Sequence, residues 1–315
     1  RGGTNTDVLK GLIYRLTQHP EGFTGEIVVA DNGQDVGIGG SLDWQNSNAE
    51  NHSQSAQDVV NLFSGSYKVS TYLWTPIRNQ AVAEFDQKDS NDGYVLAETP
   101  DPQSNFRVSY PKFTTSYGTR ISLKEGIYIP GKEGGTYDKE RLKIINVPVL
   151  KSHSGFGVTG CVKHYMGVQS QPLSDGHNRM SQGAMGTLFA DLGLPVLNVL
   201  DAIWVNANPM GSSGNGPSTG YGQASRVDTL MASLDPVALD HWASKNVLMP
   251  AAVERGYSDV DSMSPDNRNG VFRNYLQRSK DIILLAGYPV TTDSKSISVF
   301  RAENEPPILT DVDLE

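Results

Sequence analysis

The stretch from Asn146 to Val168 reads NVPVLKSHSGFGVTGCVKHYMGV. Its first five residues are almost all apolar and predict the end of a buried strand at Leu150. Polar residues and glycines follow at once. The part from Lys151 to His164 holds two of the six histidines and the only cysteine of the chain. Such a segment is either a tight structural turn or a functional site.

Outward from this stretch, helix-like and strand-like segments alternate along the chain. Residues 4–22 predict a capped helix, because apolar residues recur at helical spacing after Thr and Asn residues that can cap it. Residues 25–33, 55–63 and 68–74 predict a strand, a helix and a strand. The sequence LKIINVPVL, residues 142–150, predicts a central parallel strand. This alternation predicts an α/β fold with a mainly parallel, Rossmann-like sheet flanked by helices.

We expect one α/β domain over residues 1–300. Residues from about 80 to 140 differ from the rest, because alternating aromatic and β-branched residues predict an inserted antiparallel β-hairpin. Its central part covers residues 101–130. The sequence DIILLAGY, residues 281–288, predicts a late strand or a buried turn. Residues 301–315 are acidic and contain proline, which predicts an extended tail.

The composition argues against several classes of protein. The formal net charge of −9, without any run of Lys or Arg, argues against a nucleic-acid-binding protein. No window approaches the length of apolar sequence that a membrane span needs. A single cysteine excludes an internal disulfide framework and an intrinsic iron–sulfur cluster. The low share of charged residues favours a periplasmic or extracellular location, and the absence of an initial methionine indicates a processed or incomplete N-terminus.

The segment after Leu150 has the composition of a ligand site. In open α/β sheets, ligands collect where the parallel strands end. Glycines let a backbone approach a ligand closely, and a helix that begins in TGCVKHYMGV favours an anion at its N-terminus. Lys163 supplies a cation or a nucleophilic amine, and His153 and His177 supply acid/base groups or metal ligands. A glycine-rich turn that serves packing alone explains the same residues.

Two further features point to ligands. The loop NPMGSSGNGPSTGYG, residues 208–222, has the glycines of an anion-binding loop but lacks the ending of a P-loop, so a flexible loop explains it equally well. Asp31 and Asp201 are each predicted at the end of a strand, where two carboxylates can bind a hard cation or simply form turns. The residues expected to bind a ligand or cofactor are Lys151, Gly155, Gly157, Thr159, Gly160, Gly214 and Gly216.

Three stretches resemble the domain-of-unknown-function three-six-two family of bacteria and archaea. They are INVPVLKSHSGFGVTGCVKHYMGV, GNGPSTG and LMASLDPVALDHWA, and the opening TNTDVLKGLIYRL with GEIVVADNG fits the family too. The resemblance extends from residue 4 to about residue 250, and its most specific part is Lys-x-His followed by Thr-Gly-x-x-Lys. Many members of that family carry a ferredoxin-like, cysteine-rich module, which this chain lacks.

A more distant similarity links the segment to the nickel-pincer lactate racemase family. That family has a histidine, a lysine ten residues later and a further histidine. The similarity implies that His153 is an acid/base group, that Lys163 attaches the cofactor and that His177 binds nickel. The second acid/base histidine and the substrate-binding arginine motif of that family have no counterpart here, which favours shared architecture over shared chemistry.

Two hypotheses on function follow. The first is an enzyme of the isomerase or proton-transfer type that acts on a small anionic substrate through His153 and Lys163, with a divalent metal or a nickel-containing cofactor held by His177, Asp31 and Asp201. The second is a non-catalytic extracytoplasmic binding or assembly protein that keeps the fold. In the first case we expect His153, Lys163 and Asp201 to meet at the C-terminal edge of one sheet.

Overall fold

The computed structural model describes residues 3–33, 48–132, 134–209 and 224–302. These residues form a mixed α/β structure with helices and several sheets, so the predicted fold class is confirmed at this level. The acidic tail predicted for residues 301–315 lies, from residue 303 onward, outside the described residues.

Eight α-helices lie in this part of the chain. They are α1 Thr6–Thr17, α2 Ala56–Ser64, α3 Cys161–His164, α4 Gly176–Arg179, α5 Ala184–Leu192, α6 Pro236–Ala243, α7 Met249–Glu254 and α8 Val271–Leu285. Side chains cap three of them: Asn5 accepts from the Asp7 N–H before α1, Ser55 opens α2, and Asp235 accepts from two N–H groups of α6. Each cap satisfies backbone donors that the first turn of a helix leaves free.

Twelve strands lie in the same residues. They are β1 Glu26–Asp31, β2 Lys68–Leu73, β3 Gly93–Leu96, β4 Ser109–Thr114, β5 Arg120–Ser122, β6 Gly126–Gly131, β7 Gly134–Asp138, β8 Ile145–Asn146, β9 Val149–His153, β10 Gly157–Thr159, β11 Leu197–Asn206 and β12 Ser225–Ser233. β1 and β2 form a parallel pair, and β3 to β7 form an antiparallel meander. The third sheet has the order β10-β9-β11-β12, with β8 also paired to β11.

The prediction of one mainly parallel, Rossmann-like sheet is wrong for the described strands. In the third sheet β11 runs parallel to β8 and β9, but β10 and β12 are antiparallel to their neighbours. A parallel pair needs a crossover of about a dozen residues or more, whereas residues 154–156 alone join β9 to β10. The predicted hairpin of residues 101–130 is confirmed as antiparallel and belongs to a larger, five-stranded meander.

The predicted central strand over residues 142–150 is interrupted. β8 stops at Asn146, and Pro148, which has no N–H to give to a ladder, precedes a new strand. β9 then continues past Leu150 to His153, so the polar residues that follow Leu150 lie inside the strand. The functional segment therefore begins as a β-hairpin of β9 and β10 and enters α3 only afterwards.

The sequence DIILLAGY was predicted as a strand or buried turn and instead completes α8. Phe272, Tyr275, Leu276, Ser279, Ile282 and Ile283 are the buried residues of this helix. Their helical spacing shows that the apolar run at residues 282–285 is the end of a longer amphipathic pattern. Four consecutive apolar residues fit a strand and a helix equally well when they are considered alone.

Apolar side chains form two clusters. The larger cluster joins the third sheet, the meander and the helices α3, α5, α6 and α8. The smaller cluster contains Ile13, Val59, Val60, Phe63 and Val69 and lies between α1, α2 and β2. The larger cluster holds the hairpin and α3 in place, because Leu150, Val158 and Val162 are fully buried in it.

Among the described helices, none combines the length and the apolar character that crossing a membrane requires.

Candidate functional site

The hairpin of β9 and β10 places polar side chains on one face. In the antiparallel register Lys151 is opposite Thr159, and His153 is opposite Gly157. Because side chains alternate along a strand, Lys151, His153 and Thr159 share a face. Ser152 points to the other face, where its hydroxyl donates to the Asn208 carbonyl at 2.6 Å. The alternation of side chains along the two strands therefore places these residues on one face, although the sequence predicted that they follow the strand.

Lys163 reaches the same region from α3. Its residue surface is only 7% exposed, and its Nζ lies 5.2 Å from the centroid of the Phe156 ring. Burial, together with the positive charge of the nearby Lys151, lowers the pKa of Lys163 to about 8. Among the described residues, no carboxylate opposes this lowering of the pKa. Lys163 is therefore a buried amine in surroundings that disfavour its positive charge.

Lys151 is equally buried but has an acidic neighbour. Burial lowers the pKa of Lys151 to about 8, and the negative charge of Asp31 acts in the opposite direction. Asp31 ends β1, and a Cβ atom at position 167, just after α3, would lie 3.2 Å from its Oδ1. The first parallel sheet thus brings Asp31 to the hairpin, where it is a charge neighbour of Lys151.

Phe156 is the common neighbour of the ionisable groups. Its ring centroid lies 5.1 Å from that of His153 and 6.0 Å from that of His177, in addition to its contact with Lys163. The structure therefore brings together His153, Lys163 and His177, three residues that the sequence singled out. Phe156 itself was missed, although an aromatic residue between Gly155 and Gly157 is an unusual feature that could have drawn attention to it.

The two histidines present different nitrogen atoms to the site. His153 Nδ1 accepts a hydrogen bond from the Gly155 N–H at 3.1 Å, so its proton lies on Nε2. His177 Nδ1 lies 2.8 Å from Gln171 Oε1, and Gln171 Nε2 donates to the Met166 carbonyl. Since Gln171 Oε1 can only accept, His177 carries its proton on Nδ1 and keeps a free lone pair on Nε2. One imidazole is thus a donor and the other an acceptor.

Both histidines are held neutral. Burial, together with the positive charges of Lys163, His177 and Lys151, lowers the pKa of His153 to about 3. Burial and Lys163 also lower the pKa of His177. His164 lies behind the site, where its Nδ1 is 2.7 Å from Asn146 Oδ1, and burial together with the two lysines lowers its pKa to about 4. A negative charge placed among these groups would oppose the lysine contribution and raise each pKa.

The N-terminus of α3 is not free to bind a ligand. Asp240, in α6, accepts from the Cys161 N–H at 2.6 Å and from the Val162 N–H at 2.9 Å. The anion expected at this helix end is therefore a side chain of the protein itself. Burial raises the pKa of Asp240 to about 7 and that of the Cys161 thiol well above its usual value, so Cys161 is an unreactive buried thiol.

Two of the predicted ligand-binding glycines have packing roles. Gly157 has a φ of +74°, and a Cβ atom there would lie 2.5 Å from the Ser262 carbonyl oxygen. A Cβ atom at Gly160 would lie 2.3 Å from Asp240 Oδ1, so this glycine makes room for the cap of α3. Gly214 and Gly216 lie outside the described residues.

Asp201 does not lie where the sequence placed it. It stands in the middle of β11, which continues to Asn206, and it is paired with Val149 at the start of β9 rather than with the end of that strand. Its carboxylate accepts from the Asn5 N–H at 2.8 Å and from the Ile203 N–H at 2.9 Å. Asp201 therefore fastens the residues before α1 to the sheet, and the expected meeting of His153, Lys163 and Asp201 is wrong for Asp201.

Two buried oxygen atoms near the cluster have no hydrogen-bond partner. Thr159 Oγ1 lies on the face of Lys151 and His153, and Gln169 Oε1 belongs to an amide that packs against Gly176, next to His177. Buried polar atoms in proteins usually have a partner, since an unsatisfied one costs roughly 1–3 kcal/mol. Both oxygen atoms could therefore accept a further hydrogen bond.

The described residues do not fit a metal site of their own. Among them there is no group of three His, Cys, Asp or Glu side chains that could hold a metal ion. Of the predicted metal ligands His177, Asp31 and Asp201, Asp201 is bonded to backbone N–H groups and Asp31 lies beside Lys151.

Comparison with known proteins gives one match. Residues 139–245 match the family model described as "Domain of unknown function (DUF362)". The DUF362 segment contains Lys151, His153, Phe156, Lys163 and His177, so the whole cluster of ionisable groups apart from Asp31 lies in it. The resemblance predicted from the sequence is confirmed over these residues. Its earlier part, from residue 4, lies outside the match.

The searches of curated proteins and of solved structures return no match. The similarity of the DUF362 segment to nickel-pincer lactate racemases stays a prediction.

Proposed function

We propose that this protein binds a small carboxylate at Lys151, Lys163, His153 and His177 and transfers a proton on the bound molecule. The observation that carries the proposal is the pair of buried lysines, of which Lys163 has no carboxylate neighbour among the described residues. Burying an ammonium group without a counter-ion is costly. A small anion would supply the missing negative charge and would gain strongly from it in a site of low dielectric constant.

The polar groups of the hairpin face suit a carboxylate. Lys151, the buried Thr159 hydroxyl and the Nε2–H of His153 are all donors on that face. Gln169 Oε1 is an acceptor on the His177 side and would suit a hydroxyl group of the ligand. Donors grouped at one end and an acceptor at the other favour a carboxylate that also carries a hydroxyl or carbonyl group.

The two histidines support proton transfer. His177 Nε2 has a free lone pair and can accept a proton from carbon and return it, while His153 Nε2–H can donate a hydrogen bond to an oxygen of the bound molecule. Lysine charges near the reacting centre would stabilise the enolate that forms when a proton leaves the carbon next to a carboxylate. An isomerisation that removes and returns a proton is the simplest reaction these groups can perform.

The test combines binding and proton exchange. We expect lactate or pyruvate, titrated into the protein by calorimetry, to bind, and we expect the hydrogen next to the carboxyl or carbonyl carbon to exchange in heavy water, followed by NMR. Lys163→Met should weaken binding by about tenfold or more, since a buried charged contact is lost. Lys143→Met removes an equal charge from a side chain that is 57% exposed and should change neither result.

The two readouts separate the two hypotheses on function. Binding that depends on Lys163 without any exchange would favour a non-catalytic binding protein. If no small carboxylate binds, the proposal is wrong.

A further inference from the structure

We propose that Lys163 is a nucleophilic amine that condenses with the carbonyl group of a small 2-oxo acid and forms a Schiff base. This inference rests on the proposed function, because the acid must first bind at the cluster. It adds the substrate class, a covalent step and a different role for each of the two lysines.

The two lysines differ in what surrounds them. Lys151 has Asp31 as an acidic neighbour, which favours its charged form. Lys163 has Lys151 as a neighbour and, among the described residues, no carboxylate that favours its charge. Only a neutral amine attacks a carbonyl carbon, and an amine becomes neutral more readily when it is desolvated beside another cation. Lys163 therefore suits the nucleophile, and Lys151 suits the cation that holds the carboxylate.

Lys163 is also held in a fixed place. The first turn of α3 is fastened to α6 through the two hydrogen bonds of Asp240, and Val162 is fully buried on the preceding position. The Lys163 stem is buried, and its amine lies over the Phe156 ring. An amine with few alternative positions loses little conformational entropy on reaction, which favours attack on a bound carbonyl.

The remaining groups complete the proton balance. The Lys163 ammonium group first gives a proton to His177 Nε2 and becomes a neutral amine. Its nitrogen bonds to the carbonyl carbon, and the electron pair of the carbonyl bond moves to oxygen, which takes the proton from His177 while His153 Nε2–H donates a hydrogen bond to it. His177 Nε2 then takes a proton from the new C–N nitrogen and returns it to the hydroxyl group, which leaves as water while the C=N bond forms. The sum is ammonium plus carbonyl giving protonated imine plus water.

The Phe156 ring fits the product of this step. A protonated imine is a cation, and the negative face of an aromatic ring stabilises a cation within about 6 Å. Such a cation draws electrons from the neighbouring carbon, so a C–H bond there is weakened and its proton can move to His177. The Schiff base would thus provide the driving force for the proton transfer proposed above.

The test is reductive trapping of the wild-type protein. Pyruvate serves as the probe and sodium cyanoborohydride as the reductant, which converts the imine into a stable carboxyethyl-lysine. We expect peptide mass mapping to find this adduct on Lys163 and a loss of trapping in Lys163→Arg, which keeps the charge but has no comparable nucleophile. Lys143→Met serves as the matched control and should be trapped like the wild type.

Calorimetry with pyruvate on the same samples distinguishes the ways in which the idea can fail. If pyruvate binds but no adduct forms on Lys163, the Schiff base is wrong and the proposed binding function stands. An adduct spread evenly over surface lysines also rejects the Schiff base, because it reports random chemistry. If neither pyruvate nor lactate binds, the proposed function fails as well.

Discussion

Lys112 lies in β4 with its side chain fully buried, and Lys163 lies in α3 with 7% of its surface exposed. Lys112 Nζ donates to the carbonyls of Ala83 at 2.6 Å and Asp89 at 2.9 Å, and it lies 3.7 Å from the Asp89 carboxylate. Within the described residues, the amine of Lys163 has the Phe156 ring as its neighbour, with Nζ 5.2 Å from the ring centroid. Each ammonium group lies over a phenylalanine, at 4.3 Å from the Phe85 centroid for Lys112.

The difference separates a structural lysine from a functional one. The ammonium group of Lys112 is surrounded by acceptors of the fold, the carbonyls of Ala83 and Asp89 and the Asp89 carboxylate. Its charge therefore stabilises the meander. Lys163 has no such acceptor among the described residues, which is why we propose that a ligand supplies it. Burial lowers the pKa of both amines, but Asp89 and Glu84 oppose the shift at Lys112, whereas Lys151 adds to it at Lys163. The same residue type at similar burial therefore predicts opposite effects on substitution.

The largest effect is expected for Lys112→Met. The substitution leaves two buried carbonyls and the Asp89 carboxylate without their donor, so we expect the free energy of unfolding to fall by about 3 kcal/mol. Denaturant unfolding with Lys143→Met as the exposed control measures it. An unchanged midpoint of denaturant unfolding for Lys112→Met would show that Lys112 does not stabilise the fold, so that it would not differ from Lys163 in this respect.

The Asp240→Asn substitution tests whether the Asp240 carboxylate stabilises the first turn of α3 through its backbone N–H groups. An amide has one acceptor oxygen for the two N–H groups of Cys161 and Val162, so we expect a loss of about 1–2 kcal/mol in stability. Carboxylate binding should weaken with it, because α3 carries Lys163. A variant of full stability, measured by thermal unfolding, would show that the cap does not hold α3.

Lys163→Met should act in the opposite direction to Lys112→Met. Removing a buried charge without a counter-ion stabilises the folded state, so we expect a gain of about 1 kcal/mol at neutral pH. A folded-state pKa of about 8, below the ordinary 10.5, means that the folded protein loses this proton before the unfolded chain does. Wild-type stability should therefore rise relative to the variant as the pH increases from about 8 to about 10.5.

Paired unfolding curves at neutral and alkaline pH measure this difference. A destabilised Lys163→Met, with a gap that does not change with pH, would make Lys163 a structural lysine like Lys112.

The affinity for carboxylates should fall as the pH rises through about 8. Lys151 and Lys163 both have pKa values near there, and a neutral lysine no longer attracts an anion. Each lysine that must be protonated lowers the affinity by up to about tenfold per pH unit above its pKa in the free protein, until its pKa in the complex is reached. Calorimetry with lactate across this pH range measures how the affinity changes with pH. An affinity that does not change with pH would show that the charges of the lysines do not contribute to binding.

The smallest effect is expected for removal of metal. Because the described residues contain no group of three suitable ligands, dialysis against a chelator should change neither lactate binding nor the melting temperature. Elemental analysis of the native protein, together with its intact mass, measures bound metal or a group attached to Lys163. Stoichiometric nickel that is lost together with binding would revive the metal-dependent hypothesis.

Local patterns predicted local structure well. The cap at Asn5, the helical stripe of α1 and the antiparallel alternation of residues 101–130 each depend on residues that are close together in the chain. Their physics is local too, since a cap or an alternation depends on neighbours in sequence. The prediction failed at Leu150 and Asp201, where a strand continues through polar residues because its partner strand provides the hydrogen bonds.

The sequence by itself determined the chemistry that can occur here: a histidine, a lysine and glycines in one short segment, with a second histidine close behind. Only the tertiary structure decided which groups meet. It brought Asp31 from β1 and Asp240 from α6 to either side of α3, and the two carboxylates took different tasks, one beside Lys151 and one on the helix end. The physical reason is that charge and burial act through space, so the protonation of Lys151 depends on Asp31, which is remote from it in sequence.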